Sequence, residues 1–181
     1  MSDEWRQEVA AYGLELGKPV KSEINARCAA ASVWELLAEA GNLKRCHPFC
    51  ASNDVVKWPG VGACDSITYF SGMHYQRNFV AWHDGRGYDI ELGVAPELTS
   101  RVLWRVASAG ELSAVLSIEV WPYLKTALPQ ARKDRYVAHF FGEQLQHYLD
   151  CVVQGVRYTA ETGKNVQPDQ FGTNLLYSAS A

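Results

Sequence analysis

Apolar and polar side chains alternate along the middle of the chain, from residue 63 to residue 121. Because successive side chains of a strand point to opposite faces, this alternation predicts strands with one buried face. Short turns, such as the one at Asp84-Gly85, separate the alternating runs and favour antiparallel hairpins. An earlier run predicts one more strand at 19–26. The predicted strands of the central meander are 63–71, 73–83, 86–93, 99–107 and 111–121.

A period of three to four residues, typical of helices, governs three other segments. The first, 3–12, predicts a short helix, and the second, 29–40, is ended by Gly41-Asn42. The last, 131–162, is predicted as one long helix, with Gly163 at a position that suits a left-handed C-cap. Its main apolar stripe consists of Val137, Phe141, Leu145, Tyr148, Val152 and Val156.

The composition is that of a globular protein with a substantial core: 48% of the 181 residues are hydrophobic and 20% are charged. No linker or repeat interrupts the chain, so we expect a single domain over 1–181, with a core at about 18–163 and a tail at 164–181. A formal net charge of −3 without a basic run argues against a nucleic-acid partner. The sequence shows neither a membrane span nor a signal peptide, so a cytoplasmic location is expected.

The residues that could bind a metal do not form a complete set. Cys46-His47-Pro48-Phe49-Cys50 invites a zinc interpretation, but structural zinc sites commonly need a second ligand pair, which the sequence lacks. The helical spacing of His139, Glu143 and His147 could bind a metal, but it is more typical of a solvated face. The five cysteines are scattered and odd in number, which favours free thiols. We expect no metal, and the absence of nucleotide-binding motifs predicts no cofactor.

The order of elements near the start of the chain carries a family resemblance. A strand and an amphipathic helix span I-N-A-R-C-A-A-A-S-V-W-E-L-L-A-E-A-G-N-L, and a break follows at C-H-P-F. Two strands then contain W-P-G-V-G-A-C-D-S-I-T-Y-F-S-G and Y-Q-R-N-F. This order resembles the START-like, helix-grip superfamily, which includes the birch-pollen allergen, plant hormone receptors, lipid-transfer domains and polyketide aromatase/cyclases. The resemblance covers about residues 20–156 and implies an α+β fold, in which a curved antiparallel sheet wraps around a long C-terminal helix and encloses a cavity.

Matching the chain to the hormone-receptor branch implies which side chains face that cavity. Residues two apart on a strand share a face, and the larger, more apolar face is expected to be concave. For the last strand parity alone is ambiguous, and the resemblance selects Val115, Ser117 and Glu119. The receptors' gating-loop pattern is replaced here by Gly93-Val94-Ala95-Pro96 and Met73-His74, which disfavours a hormone-receptor role. The ligand-facing residues implied are His47, Asp65, Ile67, Tyr69, Tyr75, Arg77, Phe79, Tyr88, Ile90, Val102, Trp104, Ser117, Glu119, Tyr136, Phe140 and Gln144.

The charged members of this set leave two interpretations open. Arg77 could orient a carboxylate, phenolate or enolate of a ligand while Asp65 or Glu119 moves protons. Alternatively, the three form a closed ion-pair network that sets the interior and binds nothing. Both interpretations predict that Arg77 lies within salt-bridge distance of Asp65 or Glu119, because a buried guanidinium needs an anionic partner. His47 is a candidate general base at the cavity mouth, or only a hydrogen-bonded spacer.

The function expected from these features is binding of a small hydrophobic or aromatic molecule with one polar or anionic group. Nine tyrosines and six tryptophans supply flat surfaces with polar tips that suit such a ligand. One alternative is an enzyme of the polyketide aromatase/cyclase type, with Arg77, Asp65, Glu119 and His47 as candidate catalytic residues. A second alternative is an interaction module that forms a homodimer through its sheet and tail.

Overall fold

The computed structural model describes residues 4–179. Within this range the chain forms five helices and eight strands. The helices are α1 (Glu4–Ala11), α2 (Ala30–Ala38), α3 (Leu43–Cys46), α4 (Gln130–Phe140) and α5 (Glu143–Thr162). The strands are β1 (Leu14–Leu16), β2 (Val20–Ala26), β3 (Cys50–Lys57), β4 (Cys64–Tyr69), β5 (His74–His83), β6 (Gly87–Val94), β7 (Glu97–Gly110) and β8 (Ser113–Lys125).

The strands form one antiparallel sheet in the order β1-β8-β7-β6-β5-β4-β3, and β2 also pairs with β8. The predicted strand meander is therefore confirmed as β4 to β8, and the earlier predicted strand is β2. Register places Val102 opposite Val120 and Trp104 opposite Ile118 on the two longest strands. These side chains share one face with Ile67 and Ile90, which makes this the buried face of the sheet.

Helix α5 covers this face. Leu145, Leu149, Val152 and Val156 are all nearly inaccessible and pack in one cluster with the inward side chains of the sheet. Leu145, Val152 and Val156 of the stripe predicted from the sequence therefore lie on the buried side of this helix, whereas Val137 lies on α4 and is half-buried. The fold is the α+β arrangement that the sequence predicts, an antiparallel sheet with a long C-terminal helix against it.

The prediction of one continuous helix over 131–162 is wrong. The helix is interrupted at Phe141-Gly142, where Gly142 has φ −85° and ψ −140°, far from helical values. α4 precedes the interruption and α5 follows it. The periodic pattern runs through the break because Phe141 and Leu145 both face the interior, one from each side of it.

The sequence pattern did not predict the strands β1 and β3 or the helix α3. β3 pairs with β4, yet only Cys50 and Asn53 of its eight residues are buried. A strand with so few buried positions lacks the alternation by which strands are recognised. β3 lies at an edge of the sheet, where fewer side chains need to be apolar.

Aromatic rings close one end of the interior. Phe79 packs edge-on against Trp58 and Tyr88, with ring centroids 4.8 and 4.9 Å apart. A register shift between Phe79 and Ala81 brings Trp82 to the same side, where it stacks on Tyr88 at 5.4 Å. This end of the core is filled, and the space inside the fold lies further along the sheet.

Gly155 fixes the distance between α5 and α3. A β-carbon at this position would lie 2.2 Å from the carbonyl oxygen of Cys46, at the end of α3. In an unobstructed helix, replacing glycine by alanine would add about 1 kcal/mol of stability. Here the carbonyl of Cys46 occupies the space that the alanine side chain needs. Alanine would therefore displace the end of α3 and His47, which follows it.

We expect Gly155→Ala to lower the free energy of unfolding by about 1–3 kcal/mol, the usual cost of overpacking, despite its better helix propensity. Gln154→Ala, one residue earlier on a half-exposed side of the same helix, is the control and should be close to neutral. Urea denaturation of both variants measures the difference. A stabilised Gly155→Ala protein would contradict the close approach of the two helices.

Candidate ligand-binding cavity

A cavity of about 240 Å³ lies between the buried face of the sheet, the two C-terminal helices and the tail. Ten of the predicted residues line it. From the strands and the loop before β3, these are His47, Ile67, Tyr69, Tyr75, Arg77, Ile90, Val102 and Trp104; from α4, they are Tyr136 and Phe140.

Ser117 and Glu119 were predicted wrongly, as was Val115. The buried residues of β8 are Ala114, Leu116, Ile118 and Val120, and the alternation of the strand sends the odd-numbered side chains to the outer face. There Glu119 stands opposite Lys21 of β2. It therefore cannot contact Arg77 or a molecule in the cavity.

Four other predicted residues do not line the cavity. Gln144 lies half-buried on the side of α5, and its carbonyl oxygen accepts a hydrogen bond of 2.9 Å from Asn174 Nδ2. Phe79 and Tyr88 face inward but belong to the filled aromatic end. Asp65 also faces inward, but it lies behind Arg77.

Thirteen lining residues were missed by the sequence prediction. They are Leu43, Met73, Leu92, Thr99, Ser100, Ile118, Val120, Phe141, Leu145, Tyr148, Leu149, Val152 and Tyr177. Phe141, Leu145, Tyr148 and Val152 belong to the apolar stripe of the predicted helix, so the stripe was the signal for them. The prediction instead followed the edge of Tyr136, Phe140 and Gln144. The first two line the cavity, but Gln144 lies beyond the break in the helix and does not.

The charge of Arg77 is matched by Asp65, as the sequence predicts. The two residues stand directly opposite each other on β4 and β5. Arg77 Nε donates to Asp65 Oδ1 at 2.6 Å, and Nη2 donates to Oδ2. Asn53 Nδ2 from β3 also donates to Oδ2, at 3.0 Å. The side chains are 7% and 0% exposed, so this is a buried, bidentate ion pair.

Two opposing effects act on the pKa of Arg77. Burial lowers it, but the hydrogen bonds and the charge of Asp65 outweigh burial and raise the pKa above its ordinary value. The guanidinium therefore stays charged. Its Nη1 donates to no acceptor among residues 4–179, and Arg77 is part of the cavity wall.

His47 is buried, and both of its ring nitrogens are engaged. Nδ1 accepts a hydrogen bond of 3.2 Å from the backbone N–H of Phe49, and Nε2 lies 2.9 Å from the hydroxyl of Tyr148. Burial, followed by the positive charge of Arg77, lowers the pKa of His47 to about 3. The ring is therefore neutral near pH 7, and because Nδ1 is an acceptor, the proton resides on Nε2. His47 is thus a donor to Tyr148.

The hydroxyl of Tyr148 also lies 2.9 Å from the hydroxyl of Tyr69. His47 Nε2 and the two hydroxyls carry three hydrogens between them, while only two contacts join the three groups. One hydroxyl hydrogen therefore remains unused within this group. Since both tyrosines line the cavity, that hydrogen is available to a molecule inside it.

The C-terminal tail packs back on the body of the protein. The ring of Tyr177 lies 4.3 Å from that of Tyr148 and 4.5 Å from that of Tyr69, measured between centroids. The backbone N–H of Ser71 donates to the carbonyl of Tyr177 at 3.2 Å, which attaches the tail to the turn before β5. The tail thus contributes one wall of the cavity.

All five cysteines are free thiols. Burial raises the pKa of Cys46 to about 12 and that of Cys50 to about 11, so both are protonated at neutral pH. Residues 4–179 contain no cluster of three histidine, cysteine or acidic side chains placed to bind a metal ion. Nor does the described part of the chain contain a helix of the length and apolarity that crossing a membrane requires.

Comparison with known proteins identifies the fold. No family model matches the sequence, and the search of curated proteins finds no match. Solved structures do match. Norcoclaurine synthase from Thalictrum flavum, in complex with dopamine and hydroxybenzaldehyde, superposes with a TM-score of 0.60 at 13% identity, over 87% of this chain and 91% of that chain.

Two further structures are similar to this chain. A protein of unknown function from Staphylococcus aureus matches with a TM-score of 0.62 at 9% identity, covering 81% of this chain and 96% of the other. Ara h 8.0201 matches with a TM-score of 0.53 at 14% identity, covering 82% and 98%. The chain therefore has the helix-grip α+β fold that the sequence predicts. At these identities the likeness concerns the fold alone.

We expect Arg77→Met to lower the free energy of unfolding by about 3–5 kcal/mol, because it leaves the carboxylate of Asp65 buried without its cation. Urea denaturation at pH 7 measures this loss. The double variant Asp65→Asn/Arg77→Met removes both charges and should recover a large part of it. A loss below about 1 kcal/mol for Arg77→Met would show that the pair is not needed for stability.

We also expect His47 to make stability depend on pH. The folded-state pKa of about 3 lies below the ordinary value of about 6.5, so the unfolded chain takes up the proton first. The contribution of His47 is complete above about pH 6.5 and is lost as the pH falls toward 3. Between pH 7 and pH 5 the loss should be about 2 kcal/mol.

Denaturation curves of His47→Gln at the two pH values test this expectation, since the variant should lack this part of the pH dependence. His139→Gln, which changes an exposed histidine of α4, is the control and should keep it. Equal pH dependence in the protein and in His47→Gln would show that His47 does not remain neutral in the folded state.

Proposed function

We propose that this protein binds a small hydrophobic or aromatic molecule with one polar group in the cavity between sheet and helix. The observation that carries the proposal is the composition of the wall. Ile90, Val102, Val120 and Leu149 make most of it apolar, while the hydroxyls of Tyr69 and Tyr148 form one polar spot. Few convergent polar groups in an apolar cavity are typical of small-molecule sites.

The size of the cavity limits the ligand. Its volume of about 240 Å³ is slightly below the common range for ligand pockets, about 300–1,000 Å³. An apolar cavity of about 150 Å³ is known to accommodate benzene. The proposed ligand is therefore a molecule with one or two rings. The aromatic ligands of the norcoclaurine synthase complex, dopamine and hydroxybenzaldehyde, agree with this size, although they belong to that protein.

The alternative of a polyketide aromatase/cyclase receives less support from the geometry. Such a reaction needs a group that takes up a proton and room for a folded chain. Asp65 is held by Arg77 and Asn53, and both nitrogens of His47 are engaged. Glu119 lies on the outer face. We therefore favour binding over catalysis as the role of the cavity.

Native mass spectrometry of the purified protein, followed by calorimetric titration with single-ring and two-ring aromatic compounds, tests the proposal. We expect Val102→Phe, which places a ring in the cavity, to weaken binding at least tenfold while the protein remains folded. Leu103→Phe is the matched control, since its neighbouring position points to the outer face, and it should bind normally. Equal binding by both variants would contradict binding in this cavity.

A further inference from the structure

The charge of the cavity wall bears on the ligand's polar group. Among the described residues that line the cavity, Arg77 is the one that carries a formal charge, because His47 is neutral. That charge is already balanced by Asp65 through two hydrogen bonds directly behind the wall. A ligand carboxylate would have to share the cation with Asp65 and would add a second negative charge to a buried site.

The pKa values of the tyrosines in the wall show whether this environment stabilises a negatively charged oxygen. Burial raises the pKa values of Tyr69, Tyr148 and Tyr177, and although Arg77 opposes this effect at Tyr69 and Tyr148, burial prevails. A phenolate oxygen is therefore disfavoured at the position of each hydroxyl. A ligand oxygen beside them is subject to the same loss of solvation.

The hydrogen bonds in the wall specify the partner more closely. The group formed by His47, Tyr148 and Tyr69 has one hydroxyl hydrogen left over. A ligand group that accepts a hydrogen bond would use this hydrogen. Such a group is favoured because leaving a buried donor without an acceptor costs free energy. Arg77, whose Nη1 donates to no acceptor among residues 4–179, is also part of the cavity wall.

From the balanced charge and the unused donor we infer that the ligand's polar group is an uncharged hydrogen-bond acceptor, such as a ketone or ester carbonyl, and that the cavity discriminates against carboxylates. This inference rests on the proposed function and specifies it. The carbonyl oxygen would accept the remaining hydrogen of Tyr148 or Tyr69, while the aromatic part of the ligand contacts the apolar wall.

Three probes of nearly equal shape test the inference. Acetophenone carries a carbonyl, benzoate carries a carboxylate, and α-methylstyrene replaces the carbonyl oxygen by a methylene group. Titration calorimetry at neutral pH measures their dissociation constants. We expect acetophenone to bind at least tenfold more tightly than benzoate, and benzoate to bind more tightly as the pH is lowered and it becomes neutral.

Tyr148→Phe and Tyr69→Phe test the donor. Each should weaken acetophenone about three- to tenfold, the effect of one hydrogen bond, and should leave α-methylstyrene unchanged. Tyr12→Phe, which alters a tyrosine that is 49% exposed and does not line the cavity, is the control and should change neither. Thermal unfolding verifies that Tyr148→Phe and Tyr69→Phe are folded. If only one of the two variants folds, its binding data are sufficient to test the donor.

The possible outcomes separate the inference from the proposed function. Benzoate binding as tightly as acetophenone would show that Nη1 of Arg77 recruits an anion, which overturns the inference and keeps the function. An equal loss of affinity for acetophenone and α-methylstyrene in the tyrosine variants would show that the hydroxyls only shape the cavity, and it would also overturn the inference. Failure of all three probes to bind would overturn the proposed function itself.

Discussion

A guanidinium group stays charged at every pH at which this protein could fold, so burying Arg77 requires an anion beside it. The fold meets this requirement by placing Asp65 at the opposite position of the neighbouring strand, with Asn53 of the edge strand as a third member. Three strands are thereby connected through side chains as well as through their backbones. The same pair gives the cavity a charged residue in its wall without a net charge, and the chemistry of the site follows from that balance.

Around this pair, His47 and the tyrosines of the cavity wall are held in their neutral forms. Burial lowers the pKa of His47 and raises the pKa values of the cavity tyrosines. The charged form of each group is disfavoured because water no longer solvates it. Neutral groups can still donate and accept hydrogen bonds, and the contacts among His47, Tyr148 and Tyr69 use all but one of their hydrogens. A buried polar spot of this kind orients a molecule through geometry instead of charge, which suits recognition better than proton transfer.

The cavity exists because the segment after β8 covers the sheet in three pieces, α4, α5 and the tail, and not as one continuous helix. α5 packs tightly on one part of the sheet, with Gly155 allowing close contact to α3. The break at Gly142 lets α4 bring Tyr136 and Phe140 to the cavity from another side. The tail then adds Tyr177. Space remains where these pieces meet, and aromatic side chains from each of them surround it.

The sequence by itself determined the sheet, the buried stripe of the C-terminal helix and the inward positions on β4 to β7. Alternation and helical period are local consequences of burying one face, so residues such as Ile67, Arg77, Ile90 and Val102 could be assigned from their neighbours. The partner of Arg77 was also predictable, because Asp65 was one of two carboxylates expected on the same wall. Only the tertiary structure excluded Glu119. On β8 the buried residues are the apolar, even-numbered ones, whereas the resemblance to the hormone-receptor branch had selected the odd-numbered positions as cavity-facing.

Other features depended on contacts between segments far apart in the chain. The period of the last helix continues across Gly142, so the pattern does not show where the backbone leaves the helical conformation. Tyr148 lies 101 residues from His47, and Tyr177 reaches the cavity from the end of a polar tail. Local patterns report which face of an element is buried. Which buried side chains meet, and which hydrogen is left for a ligand, is decided by the packing of whole elements against one another.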